Sequence, residues 1–146
     1  MNLNSLYQEV ILDHAKHPHN YGTPETHDAH AHRLNPTCGD TVDVYLTLGE
    51  DGRIKEVTFS GRGCAISQAS ASMMTDIVQG RTLEDAHAVL RDFQSKMMDR
   101  EAEFTFDDEA MEELEALQGV RQFPNRIRCA TLAWHTLEDA LSEVES

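Results

Sequence analysis

Three cysteines and one aspartate are the residues of this sequence best suited to chemistry. Cys38, Cys64 and Cys129 lie far apart, so no CxxC knuckle exists and only the fold can bring the thiols together. An odd number of cysteines in a chain of 146 residues favours metal binding or nucleophilic chemistry over disulfide bonding. Residue types alone leave two interpretations open, since these cysteines could be metal ligands or small core residues.

Glycines surround the first two cysteines. Gly39 separates Cys38 from Asp40, and Gly63 directly precedes Cys64. In an extended strand two such side chains lie about 6.6 Å apart, whereas ligands of one zinc ion are separated by roughly 3.8 Å. Because glycine adopts positive φ without a Cβ penalty, we expect Gly39 to form a tight turn that brings Cys38 and Asp40 together.

The charges around the cysteines suit a thiolate site. We expect Cys64 and Cys129 to lie at helix N-termini, where the helix dipole favours the thiolate. Three thiolates and one carboxylate around a divalent cation leave a formal charge of about −2, which a buried site must offset. Three arginines lie close in sequence to the candidate ligands, namely Arg62, Arg126 and Arg128.

Histidines offer a competing metal site. Six of the eight fall in the first 32 residues, and such tracts can bind metal. Their spacing is irregular, which is also typical of a polar loop. His14 fits a core position on the first helix. The histidines of this tract are His14, His17, His19, His27, His30 and His32.

Hydrophobic periodicity predicts the elements that position these residues. The N-terminal segment is an amphipathic helix that ends near His17-Pro18, and residues 19–35 form a loop or a weak edge strand. Alternating apolar residues predict a strand over residues 41–48, and a second strand follows the turn at residues 49–52. The pair is predicted to form an antiparallel hairpin.

Four helical segments complete the prediction. Apolar residues recur every four positions from Ala65 to Ile77, and Thr82 caps the helix that follows. An acidic helix is predicted over residues 107–118, ending at Gly119, and a last helix begins after Pro124. Because the strands precede most of the helices, the order favours an α+β fold, a small antiparallel β-sheet with helices packed on it.

Composition narrows the function. A chain of 146 residues fits a single domain over residues 1–146. The net charge of −14 disfavours nucleic acid and anionic membrane surfaces as partners. The sequence lacks an apolar run of membrane-spanning length, so we expect a cytoplasmic protein.

Four segments of the sequence carry a family resemblance, namely DHAKHPHNYG (Asp13 to Gly22), NPTCGD (Asn35 to Asp40), GRGCAISQASASMM (Gly61 to Met74) and RIRCATLAW (Arg126 to Trp134). Together they resemble the SufU branch of the IscU/NifU N-terminal family, which acts in iron–sulfur cluster assembly. The resemblance covers almost the whole chain and implies a SufE/NifU-like fold.

The resemblance also implies ligands and a role for each residue. Cys38, Asp40, Cys64 and Cys129 would bind zinc, Cys38 would accept persulfide sulfur, and Arg126 matches an arginine linked to sulfur transfer. The sulfur donor would be a SufS-type cysteine desulfurase, and downstream iron–sulfur assembly proteins would receive the sulfur. At most, the chain would be a zinc-dependent sulfurtransferase acting with that desulfurase.

Two alternatives stay open. The same four residues could hold a transient iron–sulfur cluster, as in scaffold-type IscU proteins. Those proteins carry a histidine directly before the third cysteine, where this chain has Arg128, and they lack the long acidic segment. Both departures favour the sulfur acceptor. In the other alternative the chain is a binding module whose zinc ion merely stabilises the fold.

Overall fold

A computed structural model describes the backbone of residues 3–145 and the side chains of residues 7–145. Within these residues the chain forms an antiparallel sheet and a set of helices, as the sequence predicts. The elements in chain order are α1 (Leu3–Lys16), β1 (Ala29–Asn35), β2 (Asp40–Leu48), β3 (Ile54–Arg62), α2 (Ala65–Val78), α3 (Leu83–Met98), a 3-10 helix (Glu109–Gln122) and α4 (Pro124–Glu145).

The sheet has the strand order β1-β2-β3, with both pairs antiparallel. On β2 the apolar residues Val42, Val44 and Leu46 are buried, and the residues between them are partly exposed. This alternation places one face of the sheet against the helices. The predicted hairpin of β2 and β3 is confirmed.

The segment before β2 is part loop and part strand. Residues 29–35 pair with β2 at the edge of the sheet, from Ala29 opposite Leu46 to Asn35 opposite Asp40. Residues 19–28 are largely irregular, although Tyr21 makes an isolated bridge to Phe59. The prediction of a loop or weak edge strand is therefore right, because residues 19–28 form the loop and residues 29–35 form the edge strand.

A buried hydrogen-bond network joins α2 to α4. Ser70 donates to the carbonyl of Ala130 at 2.5 Å and accepts from the indole of Trp134 at 3.0 Å. Trp134 is fully buried and packs on Phe93 of α3. Because Ala130 follows Cys129, this network fixes the position of Cys129 relative to α2.

The acidic segment differs from its prediction. The sequence predicts an acidic helix over residues 107–118 that ends at Gly119, whereas the structure has a 3-10 helix that continues through Gly119 to Gln122. Met111, Leu114 and Leu117 face the core, as their spacing predicts. Arg121 extends the segment, because its guanidinium is buried and donates to carbonyls at the end of α3.

The observed architecture confirms the α+β fold class, a three-stranded antiparallel sheet with helices packed on it. The single domain over residues 1–146 stays a prediction. Within the described residues, none of the helices has the length and apolar character needed to cross a membrane.

Candidate metal centre

Cys38 lies in the turn between β1 and β2. Asn35 and Asp40 are the last paired residues of the two strands, and the turn is closed by a hydrogen bond from Gly39 N–H to the Asn35 carbonyl at 2.8 Å. Gly39 has a φ of +73°, which confirms the predicted use of glycine at this position. The turn leaves Cys38 exposed to solvent.

Asp40, the first residue of β2, is 1% exposed. Its Oδ1 accepts a hydrogen bond from Cys64 N–H at 3.0 Å. Its Oδ2 is buried and has no hydrogen-bond partner in the part of the chain that the structure describes. A buried carboxylate oxygen without a partner is costly, so this side chain fits a bound cation.

Gly63 makes room for this carboxylate. A Cβ at residue 63 would lie 2.6 Å from Asp40 Oδ1 and closer still to Ser67 Oγ. Any larger residue would therefore push Asp40 away from its position beside Cys64. Cys64 itself caps the N-terminus of α2, as predicted, and is half-buried.

Cys129 is completely buried on α4. Its thiol lies 3.3 Å from the sulfur of Cys38, and Asn35 Nδ2 donates to its sulfur at 3.9 Å. Asn35 is a residue that the sequence analysis missed as part of the site. Its Oδ1 accepts from Thr37 N–H, a turn-forming contact that the Asn-Pro-Thr-Cys pattern could have indicated.

The expectation that helix α4 favours a thiolate at Cys129 is wrong. The helix begins at Pro124, so Cys129 lies in its second turn, beyond the free N–H groups of the first. Burial, followed by contacts with Asp40 and Cys38, raises the pKa of the Cys129 thiol. A thiolate here needs a nearby positive charge, which a metal ion would supply.

Three of the four candidate ligands form a tight group. One ligand atom each from Cys38, Asp40 and Cys129 lie within 4.8 Å of one another. Cys64 lies at the edge of this group, where its thiol interacts with that of Cys129. Ligands of one zinc ion are separated by about 3.8 Å, so the spacing of these three atoms is compatible with a shared ion.

Arg126 is the arginine that contacts the thiols. It is exposed in the first turn of α4, and charge interaction with Cys64, then with Cys129 and Cys38, raises its pKa. Arg128 instead lines a surface depression beside Leu34, away from this contact. Of the three arginines that lie near the ligands in sequence, one therefore has a described interaction with the thiols.

The histidine tract lies in two other places. His14 and His19 meet between α1 and α2, with ring centroids 4.5 Å apart. His30 and His32 lie on β1 and contact Asp43 of β2. His14 is a buried residue of the first helix, as predicted.

Comparisons with known proteins agree on one family. The family model described as the NifU-like N terminal domain matches residues 6–130. The zinc-dependent sulfurtransferase SufU of Bacillus subtilis is 43% identical over 145 residues, covering 99% of this chain and 95% of that protein. The iron–sulfur cluster assembly scaffold protein IscU of Streptococcus pyogenes is also 43% identical, over 95% of this chain and 84% of that protein.

A solved structure shows the same architecture. The crystal structure of the N-terminal part of a nitrogen-fixing NifU-like protein from Brucella abortus superposes with a TM-score of 0.84 at 25% identity. The match covers 98% of this chain and 96% of that chain. The family resemblance seen in the sequence is confirmed.

Proposed function

The chain belongs to the NifU-like N-terminal domain family, and on that premise we propose that it works in iron–sulfur cluster assembly as a zinc-dependent acceptor of sulfur from a SufS-type cysteine desulfurase. The observation that carries the proposal is the difference in exposure within one group of ligands. Cys38 is exposed, whereas Asp40 and Cys129 beside it are buried. A partner can therefore reach one thiol of the centre from solvent.

The four proposed zinc ligands are Cys38, Asp40, Cys64 and Cys129. The unpaired oxygen of Asp40 fits a cation at this place. A zinc ion bound here would hold the thiols in the deprotonated form that reacts with sulfur. Gly39 and Gly63 supply the turn and the space that the ligands require.

Sulfur transfer at Cys38 is a thiol exchange. The Cys38 thiolate attacks the terminal sulfur of the donor persulfide, a new S–S bond forms on Cys38, and the donor's S–S bond breaks. The donor cysteine leaves as a thiolate, so the step needs no external oxidant or reductant. Arg126, whose charge interacts with those of the three cysteines, would stabilise the anionic sulfur.

The surroundings of the centre support approach by another protein. Arg126 borders a groove of about 430 Å³ that also contains Ile66 of α2 and Ile11 of α1. Phe123, in the same groove, is 61% exposed. An exposed aromatic residue beside an arginine is typical of the central part of a protein–protein interface.

Mass spectrometry after incubation with a SufS-type desulfurase and cysteine tests the proposal. We expect the wild-type chain to gain one sulfur atom on Cys38, and the Cys38→Ser variant to gain none. Thr37→Ser, a change of the neighbouring exposed residue, serves as the matched control and should load like the wild type. A Cys38→Ser protein that still carries sulfur would reject the assignment.

A scaffold function is the second candidate, favoured by the scaffold name of the Streptococcus pyogenes relative. Anaerobic reconstitution with iron and sulfide distinguishes a scaffold from a sulfur acceptor. A stoichiometric cluster that can be transferred to an acceptor protein supports the scaffold, whereas zinc-dependent loading of Cys38 supports the sulfur acceptor. A chain that binds zinc but takes up no sulfur would support the third interpretation, a zinc-stabilised binding module.

A further inference from the structure

A second group of metal-ligating side chains lies between α1 and α2. It consists of His14, His19 and Asp76, and one ligand atom from each lies within 4.8 Å of the others. Cys64 begins α2 and Asp76 lies near the end of that helix, so the two are about 18 Å apart along the helix axis. The group is thus separate from the candidate centre of Cys38, Asp40, Cys64 and Cys129 (the cysteine centre).

Hydrogen bonds orient both histidines. His14 is 2% exposed, and its Nδ1 contacts Ser72 Oγ at 2.8 Å. The same hydroxyl accepts the backbone N–H of His19 at 2.8 Å. Metal-binding histidines usually engage one ring nitrogen in such a contact and offer the other to the ion. The other ring nitrogen of His14, Nε2, lies beside Glu113 Oε2 and is the atom that would bind an ion in place of this contact.

The carboxylate of Asp76 is oriented as well. Its Oδ2 lies 2.5 Å from His19 Nδ1, and its Oδ1 accepts from Asn20 Nδ2 at 3.1 Å. Asn20 has a φ of +56°, a left-handed conformation that residues other than glycine seldom adopt. This unfavourable backbone conformation occurs where the loop after α1 meets α2.

The charge of the group favours a cation. Glu113 Oε2 lies 3.0 Å from His14 Nε2, so two carboxylates face two imidazoles. With neutral imidazoles the group carries a charge of about −2, in a chain whose net charge is already −14. This negative charge beside two imidazoles favours a bound cation.

We propose that His14, His19 and Asp76 form a second binding site, for a divalent transition-metal ion. Two imidazoles and one carboxylate are donors that zinc and iron(II) accept, whereas magnesium and calcium prefer oxygen ligands alone. The side chain of Glu113 is 54% exposed, and its carboxylate lies beside His14 Nε2 at the edge of the group. The inference does not depend on the sulfur-acceptor function, because it uses none of the cysteine-centre residues.

Calorimetric titration of the chain already loaded with one zinc ion tests the site. We expect the wild type to bind one further Zn²⁺ or, anaerobically, one Fe²⁺, and not Mg²⁺. His19→Gln and Asp76→Asn should each weaken this second binding by about tenfold or more. His27→Gln, a histidine outside the group, is the matched control and should bind like the wild type.

Several results would overturn the proposal: no second ion in the wild type, unchanged binding in His19→Gln, or equal binding of Mg²⁺. His19 and Asp76 have side chains that are 46% and 40% exposed, so their variants should fold, and circular dichroism checks this. Co²⁺ gives an independent measurement. A second cobalt ion should add no thiolate charge-transfer absorption, and its appearance would place that ion on cysteines instead.

Discussion

At the scale of single residues, Asp40 determines the electrostatics of the cysteine centre. One carboxylate oxygen holds the start of α2 through Cys64 N–H, and the other has no described partner. The first contact fixes the side chain, and the second oxygen is left to face the thiols of Cys38 and Cys129. The same residue thus links the geometry of the hairpin to the charge of the site.

Asp40→Asn should weaken zinc binding by about tenfold or more. Asparagine can still accept from Cys64 N–H, but it removes a negative charge and replaces the free oxygen with an NH2 group, which cannot bind zinc. Competition with a chromogenic chelator measures the effect. Asp43→Asn, the same change further along β2, should leave zinc affinity unchanged, and equal affinities of the two variants would contradict the role of Asp40.

Gly63→Ala should lower the free energy of unfolding by about 1–3 kcal/mol and weaken zinc binding, because the added Cβ collides with the Asp40 carboxylate. Gly119→Ala is the control, since a Cβ there meets no described atom within 4 Å. Urea denaturation compares the two proteins. Equal midpoints would show that the space beside Asp40 is not needed.

The sequence indicated the turn between Cys38 and Asp40 but not the environment of the thiols. The glycine between Cys38 and Asp40 indicated the turn, because only a turn brings alternate side chains of a strand together. The raised pKa of Cys129 was not predictable, since it depends on the burial of the thiol and on its contacts with Asp40 and Cys38. The contact of Asn35 with Cys129 joins residues that are distant in sequence, so local patterns do not show it.

At the scale of elements, three boundaries converge on the centre: the β1–β2 turn, the start of α2 and the second turn of α4. Periodicity predicted β2, α2 and α4, since apolar alternation and four-residue spacing are properties of the local sequence, whereas β1 was predicted only as a loop or a weak edge strand. The acidic segment was predicted as a helix, and the structure makes it a 3-10 helix. Its end is set by tertiary contacts of Arg121, which no local pattern encodes.

Arg121→Lys should lower the free energy of unfolding by about 1–3 kcal/mol. The guanidinium of Arg121 donates to the carbonyls of Lys96, Asp99 and Ala102 and lies 4.7 Å from the ring centroid of Phe104. An ammonium group cannot reproduce this planar set of contacts. Urea denaturation measures the loss, with the exposed Arg100→Lys as control, and a wild-type midpoint for Arg121→Lys would refute the anchoring role.

At the scale of the whole molecule, acid should destabilise the fold. Burial, followed by the charge of Arg33, lowers the pKa of His135. As the pH falls, His135 is therefore protonated more readily in the unfolded chain than in the folded chain. The free energy of unfolding therefore decreases as the pH falls below the ordinary histidine pKa of about 6.5, toward the lower pKa that His135 has in the folded chain.

His135→Gln should reduce this loss. Glutamine does not titrate, and its carbonyl can replace the ring nitrogen that contacts Gln94. Melting temperatures between about pH 7 and pH 5 should fall less steeply for the variant than for the wild type. His17→Gln, at an exposed histidine, should keep the wild-type slope, and identical slopes for all three proteins would rule out His135 as the cause.

X-ray absorption at the zinc edge tests the central claim, that Cys38, Asp40, Cys64 and Cys129 bind one ion. With one zinc ion per chain, the account predicts three sulfur neighbours at about 2.3 Å and one oxygen at about 2.0 Å. A first zinc ion surrounded only by nitrogen and oxygen would contradict it, because the histidine group would then hold the tighter site.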